Sequence, residues 1–527
     1  MNLKKTITFF IFFTVCFSAF PQEKQDDDDD EEIIDEIIID EILQNDIYTE
    51  DSIFIINSFN YNVKGITLPF VLNTKAELKK GEEITGKTNL SKFINDKRQL
   101  LVNERVLKDN VRIEYTIGES TQDDKYPVDL EIYVEDTFNI IALPYPKYDS
   151  NYGLSVTIKA RDYNFLGSMQ PFRVDLGYKK DQEERTYFSL MLDSGYPFQA
   201  VGLNWFFDFD NYFHYRPELS KPFYYKNRSA LSVDIPIKRT TLNLWFGESF
   251  FWNDENSDDD KDELGDVQEG AYMSSKPELS WKIPLGLEIG DYGELTYNPS
   301  VSAVFNHEFP SHPLAYNRIG PFLYFDHSLS FGRIDWIGNF RKGISVSLSN
   351  AYSYNVHYAK TKIDDPWSYS YRIITKGYFI FVDDLLGFSA RLLHKHWIKS
   401  YDDYAGDLLR GVFDNDVTAE YIFALNLDLD VRALRIKPYE WFPDIKFMNI
   451  FGFDVHLNPV FDVAWYKPPS KPASSDFEYF LFGAGFEMII YPHRFRSMYL
   501  RISVGWDVSD IAEKTPMEIF LGMELFY

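Results

Sequence analysis

The stretch Gly343-Ile344-Ser345-Val346-Ser347-Leu348-Ser349-Asn350-Ala351-Tyr352-Ser353-Tyr354 alternates serine with aliphatic residues from Ser345 to Ser349. A period of two sends the aliphatics to one face of an extended strand and the serines to the other. Strand-length segments of this kind recur from Phe138 to Tyr527, among them Gly153 to Arg161, Pro171 to Lys179, Phe188 to Leu192, Ser229 to Ile237, Thr241 to Phe251 and Tyr499 to Gly505. Gly/Asn/Asp/Pro turns or long polar loops divide them. An open sheet of this size would leave edge amides unpaired, and in lipid only closure satisfies all of them. The expected fold is therefore mainly β, a transmembrane antiparallel β-barrel. Sixteen strands of about 10 residues need about 160 residues in the membrane, so the chain has ample length for loops.

Composition agrees with this fold. The chain has 527 residues, 45% hydrophobic, 17% aromatic and 25% charged, with 36 Tyr, 46 Phe and 10 Trp. Mean hydropathy is only -0.30, and after the first twenty residues no apolar run is long enough for a membrane helix. So many rings in a chain of polar average suit strands with alternating faces and aromatic girdles at the membrane interfaces. The 53 basic and 81 acidic residues give a formal charge of -28, which repels phosphate backbones and excludes nucleic acid as the main partner. A soluble multi-domain β protein would use its aromatics as core, and the export features below count against it.

Lys4 and Lys5 precede an apolar stretch from Ile7 to Phe20, the order of a secretory signal peptide, taken as residues 1–20 with Ser18 and Ala19 near the cleavage site. Cys16 is the single cysteine, so processing leaves a mature chain without one. A lipoprotein would acylate Cys16, but bulky Thr14-Val15 fits that poorly. Residues 21–52 form an acidic tether: the unbroken acids from Asp26 to Glu32 repel one another, and Ile33 to Leu43 brings apolar residues back every three to four positions, as in a short amphipathic helix.

From Ile53 to about Leu143 the pattern is that of a small α+β module. It has a strand around Ile53 to Val63, helical stretches on either side of Gly86, and a hairpin of Val111-Arg112-Ile113-Glu114-Tyr115-Thr116-Ile117 with Val128 to Glu135, joined by Gly118 to Pro127. Val128, Leu130, Ile132 and Val134 fall on one face. Val63-Lys64-Gly65-Ile66-Thr67, the Leu78 to Gly81 step, the helical Asn89 to Val106 region and the closing hairpin resemble a POTRA domain, the periplasmic module of the Omp85 superfamily (BamA/TamA-like, surface antigen D15-like).

Motifs in the barrel region resemble the same superfamily. Asp162-Tyr163-Asn164-Phe165-Leu166-Gly167-Ser168 is similar to its early turn, where Asn164, Phe165, Leu166 and Gly167 carry the motif and glycine permits the tight reversal. Asn339-Phe340-Arg341-Lys342-Gly343 is similar to a later turn, without the usual proline. Leu409-Arg410-Gly411-Val412-Phe413 resembles the tip of the long sixth extracellular loop, which in that family folds into the lumen; here Val412 stands at the aromatic position and Phe413 follows it. Pro459-Val460-Phe461-Asp462-Val463-Ala464 resembles the strand whose inward carboxylate meets the loop arginine, with Ala464 for the usual glycine. The resemblance therefore implies a contact between Arg410 and Asp462. A buried guanidinium also needs a pairing of this kind. The last residues, with Gly522, Leu525 and Tyr527, resemble the C-terminal β-signal, although Phe520 stands where a polar residue is usual.

The resemblance runs from about Ile53 onward and implies a POTRA-like domain at 53–142 and an Omp85-type barrel at 143–527. Five strand-like segments follow Arg410: Thr418 to Val431, Phe453 to Tyr466, Tyr479 to Ile490, Tyr499 to Gly505 and Ile519 to Tyr527. Sixteen strands would need eleven before it, but thirteen candidates are present. The surplus is a hairpin near Glu278 to Ile283 and Glu294 to Phe305, which makes eighteen strands or else extends an outer loop.

Catalytic and metal chemistry find no support. His307 and His312 of His307-Glu308-Phe309-Pro310-Ser311-His312 are five apart with Pro310 between them, so they cannot share a metal from one helix face. His394 and His396 share a strand face, yet no third ligand is in view. Asp260, Asp262 and Gly265 sit at calcium-loop offsets within the acidic stretch Asp254 to Asp266, but Leu264 and Ala271 fall where oxygen ligands are needed. The expectation is a non-enzymatic outer-membrane protein without cofactor or metal, whose N-terminal domain lies in the periplasm of a diderm bacterium. Its partners would be unfolded β-rich client proteins, outer-membrane lipid and periplasmic assembly factors. It would assist client insertion or translocation in an auxiliary or specialised role, receiving client on the exposed edge of the POTRA hairpin and passing it at the junction of the first and last barrel strands. The alternative is a passive porin-like channel or a surface adhesin.

Overall fold

The computed structural model describes residues 48–527 except 121–124, 150–152, 181–185, 218–221, 253–270, 291–292, 311–313, 315–317, 359–365, 399–401, 403–404, 413–416, 443–444, 446–447, 449–450, 470–478, 510–516 and 524. The signal segment, residues 21–47 of the acidic tether and the amphipathic stretch 33–43 lie outside the described residues, as do Phe413, His312 and the whole acidic stretch 254–266. The chain divides into two compact units, one of residues 1–145 with 158–169, the other of 146–157 with 170–527.

The first unit is a four-stranded sheet in the order β2-β1-β4-β3, with strands β1 (Ile53–Lys64), β2 (Glu83–Thr85), β3 (Arg112–Ile117) and β4 (Lys125–Glu135). Helices α1 (Pro69–Ala76) and α2 (Lys87–Val102) lie either side of Gly86 in the chain. They provide the crossover that lets β1 and β4 pair in parallel. Val128, Leu130, Ile132 and Val134 are all buried, against Leu90, Ile94 and Leu101 of α2 among others. Those three α2 residues recur at a helical spacing, so one stripe of the helix faces the sheet. The register of β1 against β4 slips between Ile56 and Ser58. That bulge switches the inward positions from Phe54 and Ile56 to Phe59, Tyr61 and Val63, which pack on the same core. Leu130 is 1% exposed at its centre; Leu130→Ala is expected to destabilise this unit by about 2–5 kcal/mol, measured as faster amide exchange across β1 and α2 in the whole protein.

A titratable contact closes the end of β4. Glu135 accepts from Lys108 Nζ at 2.6 Å and pairs with Lys64 Nζ at 3.3 Å. Burial pushes its carboxyl up, but Lys108 and Lys64 outweigh that and hold it below the usual glutamate value. The folded value is depressed, so the contribution is present above the unfolded value of about 4.3 and is lost as pH falls through the folded value. Because the lysines are partly solvated, its size is below about 1 kcal/mol. Glu135→Gln is therefore expected to flatten the acid side of this unit's exchange-protection profile; an unchanged acid limb would contradict the assignment.

The second fold element is the barrel. Eighteen strands, β5 (Ile140–Asp149) to β22 (Met517–Gly522), follow one another in chain order around a closed ring. The hairpin β12 (Tyr272–Glu288) and β13 (Glu294–Glu308) lies within the ring, paired on to its neighbours on both sides. Among the described residues the ring therefore has eighteen strands, not sixteen, and the loop bearing Arg410, between β17 (Leu386–Ile398) and β18 (Tyr421–Ile436), is the seventh connection on its side of the ring rather than the sixth. The first strand begins at Ile140, slightly before the boundary expected at 143.

Alternation sorts the wall into two faces. Leu231 sits opposite Phe207 and Phe246, and Val301 opposite Leu279 and Phe325; all are exposed on the outer surface. At alternate positions the same strands turn polar groups inward, such as Arg228, paired with Asp208 at 3.0 Å. An apolar outer wall and a polar interior form the physical pattern of an outer-membrane barrel. Among the described residues no helix is long and apolar enough to cross a membrane.

The ring closes between its last and first strands, β22 and β5. β21 (Leu500–Asp507) and β22 pair from Arg501–Gly522 to Trp506–Met517, whereas among the described residues β22 meets β5 through the single pair Phe520–Asp149. β22 stops at Gly522, short of the strand expected to run to Tyr527.

Candidate functional site: the barrel interior around Arg410

The connection between β17 and β18 folds back on itself before it reaches Arg410. Asp402 and Ala419 exchange backbone hydrogen bonds of 2.9 and 2.8 Å, and Ala405 N donates to Val417 O at 3.0 Å. A 3₁₀ turn, Ala405–Leu408, then hands the chain to Leu409 and Arg410. Ala405, Leu408, Leu409, Val412 and Val417 form a buried cluster with Leu393, Ile422, Ala424 and Ala464 of the wall. Short and aliphatic residues in this part of the loop allow it to pack like a core segment, which a solvated loop would not do.

That cluster delivers Arg410 to a set of carboxylates. Its Nε donates to Asp462 Oδ2 at 2.9 Å, its Nη2 to Asp462 Oδ1 at 2.5 Å, and its own backbone N to Asp462 Oδ2 at 2.7 Å. The pairing is a fork on one carboxylate, the geometry for which a guanidinium is pre-shaped. Nη1 donates to Asp428 Oδ1 and lies 3.6 Å from Glu487 Oε1. Arg410 is 3% exposed and Asp462 fully buried. Stripping water from these ions is costly, and their mutual attraction and hydrogen bonds must offset it.

The structure thus brings together Arg410, Gly411 and Asp462, and adds residues that sequence reasoning missed. Asn426 Nδ2 donates to Leu408 O at 2.9 Å, and Arg391 Nε donates to Asn426 Oδ1 at 2.8 Å, fixing the turn from the wall side. Gly411 N donates to Glu518 Oε2 at 2.7 Å. Gly411 itself has φ +90°, and a Cβ there would lie 2.4 Å from Trp506 N, so glycine is needed twice over. Gly483 of β20 (Phe480–Pro492) and Gly505 of β21 leave room on the facing wall: a Cβ would come within 2.1 Å of Arg410 O at the first and 2.6 Å of Gly411 N at the second. A signal for the missed acids exists in the alternation Leu425-Asn426-Leu427-Asp428-Leu429-Asp430, which turns its polar residues inward.

The last residues also enter this site. The rings of Phe526 and Tyr527 lie over the guanidinium of Arg410, with Arg391 near both and Arg501 near Phe526. Desolvated contacts of this kind contribute about 2 kcal/mol or more. Leu525 and Tyr527 are outside any strand, and Gly522 ends one.

The other sequence motifs fall elsewhere. The turn before β15 (Phe340–Asn355) reaches inward: Asn339 Nδ2 donates to Asp454 Oδ2 at 3.0 Å, Phe340 packs on His456 with ring centroids 4.8 Å apart, and Arg341 Nη1 donates to Tyr378 Oη at 3.0 Å. The early turn belongs to the first unit. Asn164 Nδ2 donates to Thr67 Oγ1 at 2.7 Å and to Asp136 Oδ2 at 3.1 Å, Leu68 N donates to Gly167 O at 2.9 Å, and Phe165–Gly167 forms a 3₁₀ turn with Leu166 exposed. A Cβ on Gly167, whose φ is +75°, would lie 2.0 Å from Ile66 O, so close approach explains this glycine. His394 and His396 share a wall face with Tyr371 and Tyr421 in an aromatic group, and His307 hydrogen-bonds Ser275 at 3.1 Å. Among the described residues no cluster of metal-ligating side chains occurs.

No family model matches the chain, and no curated protein does. Among solved structures the chain is similar to CdiB from Acinetobacter baumannii, with 12% identity, 89% of this chain and 73% of that chain covered, and a TM-score of 0.44. It is also similar to CdiB from Escherichia coli, with 12% identity, 89% and 76% covered, and a TM-score of 0.43. A third is BamA from Haemophilus ducreyi lacking POTRA domains 1-3, with 12% identity, 96% and 95% covered, and a TM-score of 0.34.

Proposed function

We propose that the chain is an Omp85-type outer-membrane protein that assists the insertion or translocation of client proteins in an auxiliary or specialised role, with a single POTRA-like domain in the periplasm. The observation that carries this reading is the Arg410 tip, folded into a barrel and forked on Asp462 beside a ring closure of one described residue pair. A passive pore has no need of a loop held by a buried ion network. A protein that handles strands can use such a loop to control the seam between the first and last strands, since an extended segment gains main-chain hydrogen bonds at a strand edge without demanding its sequence.

The first unit offers a strand edge of its own. β4 is paired on both sides, so the outer strand of the hairpin in this sheet is β3, with Arg112, Glu114 and Thr116 alternating with Ile113, Tyr115 and Ile117. A client strand added there would gain main-chain hydrogen bonds with little side-chain selection. No group in this account performs covalent chemistry, and neither cofactor nor metal enters it.

Depletion followed by quantitative proteomics of the outer membrane and culture medium tests the function. The intact chain is expected to restore specific barrel or secreted proteins, and a chain lacking residues 53–135, which spares β5, is expected not to. An unchanged protein profile on depletion would refute the proposal and favour a channel or adhesin, with conductance as the next measurement.

A further inference from the structure

Among the described residues strand β22, Met517–Gly522, is the shortest of the barrel, and Phe526 and Tyr527 beyond it turn inward instead of extending the sheet. Residues 526 and 527 arrive at a site built from separate parts of the wall. Arg341 Nη1 of β15 donates to the main-chain oxygen of Tyr527 at 2.6 Å, and Tyr378 Oη of β16 (Trp367–Val382) donates to the same oxygen at 3.3 Å. Arg391 of β17 stands 4.9 Å from the centroid of Phe526 and 5.0 Å from that of Tyr527. Arg410 of the loop tip stands 4.5 Å from Phe526 and 5.9 Å from Tyr527, and Arg501 of β21 5.7 Å from Phe526. The Tyr378 ring lies 6.4 Å from that of Tyr527.

Two features separate this arrangement from ordinary filling of space. Main-chain and side-chain groups of the segment are both recognised, hydrogen-bond donors meeting the main-chain oxygen of Tyr527 and cationic faces meeting the rings, as in a peptide-binding site. Arg410 is also shared, with Asp462, Asp428 and Glu487 at its edge and the Phe526 ring over its face. The segment and the loop tip therefore bind the same cation, and each favours the docked position of the other.

We propose that the guanidinium cluster Arg341, Arg391, Arg410 and Arg501 with Tyr378 is a recognition site for an aromatic peptide segment, occupied here by Phe526 and Tyr527 of the chain itself. These residues act as an internal latch. While they are docked, the segment that could prolong β22 is kept in the interior, and the loop tip is held from both sides. The inference rests on the barrel geometry and stands whether or not the protein handles clients.

The test uses the chain lacking residues 523–527, purified in detergent, with a synthetic peptide of the sequence Met-Glu-Leu-Phe-Tyr as probe. Saturable binding is expected, weakened at least tenfold by Met-Glu-Leu-Ala-Ala or by Arg391→Gln in the same truncated chain. A folded truncated barrel that does not bind the peptide, or binds it regardless of the rings or of Arg391, overturns the site. Should the truncated chain not assemble, Tyr527→Cys in the full chain decides the matter. Its reaction with a bulky maleimide is expected to be at least tenfold faster when Arg341→Gln and Arg391→Gln are added, and equal rates overturn the proposal.

Discussion

Arg410→Ala is expected to destabilise the barrel more than any other single truncation in its interior, by about 3–5 kcal/mol. The loss is not that of one ion pair. Asp462 would keep its burial and lose its fork, while Asp428 and Glu487 would face each other without the cation now between them. Removing one partner of a buried pair exposes the full desolvation cost of the others. Arg410→Lys should recover only part of the loss, since an ammonium cannot bridge both oxygens of Asp462 and reach Asp428 as the planar fork does. The measurement is thermal unfolding in detergent, read by the shift between folded and unfolded migration on gels. A melting profile unchanged by Arg410→Ala would show that the network does not hold the loop. The double change Arg410→Met with Asp462→Leu separates the two costs: it should be milder than Arg410→Ala, because it leaves one fewer unpaired acid.

The second large effect comes from a residue that carries no charge. Gly483→Val leaves every member of the ion network in place and adds a residue that strands favour. Its Cβ would nevertheless fall 2.1 Å from the carbonyl oxygen of Arg410, a distance no small adjustment relieves. Wall and loop tip cannot both keep their positions, and the loop tip, which unlike the wall is not part of a strand ladder, is the part expected to move. Val412, 2% exposed in the docked loop, provides the reporter. In a Val412→Cys background, labelling by a water-soluble maleimide is expected to rise tenfold or more on adding Gly483→Val, corresponding to about 1.4 kcal/mol of lost docking. Labelling that stays slow would mean that the wall yields instead. If Arg410→Ala and Gly483→Val both free the loop, only the first should also lower the stability of the surrounding wall, which separates docking from charge balance.

Much of the fold was legible from alternation. The inward set Val128, Leu130, Ile132 and Val134, the helices around Gly86, the hairpin at the end of the small unit and most barrel strands follow from period-two and period-3.6 patterns, because each is decided by neighbours a few residues away. The strand count was less determined. The β12–β13 hairpin alternates like its neighbours, and only its pairing to β11 (Thr240–Trp252) and β14 (Phe322–Ile337) makes it wall instead of loop. Pairing is a non-local property, so a pattern that is consistent with a strand does not say where the strand is placed.

The candidate site divides in the same way. Arg410 and Asp462 were singled out by resemblance of short motifs, but Asp428, Glu487, Asn426 and Arg391 meet the loop only because barrel closure and register set them at one height around the interior. Nothing in the spacing of Gly483 and Gly505 indicates that they leave room for a loop tip; that appears only once the loop lies against them. The end of the chain shows the limit most clearly. Ile519 to Tyr527 has the composition of a closing strand, yet the sheet takes it only to Gly522, and Phe526 and Tyr527 lie over guanidiniums of the interior instead. The sequence by itself determined the two faces of the strands that alternate clearly and the apolar face of the small unit, and its resemblance to short motifs pointed to a loop cation meeting a carboxylate. The tertiary structure alone decided which carboxylates those are, how many strands close the ring and where the last residues go, because these depend on groups far apart in the chain arriving at one place.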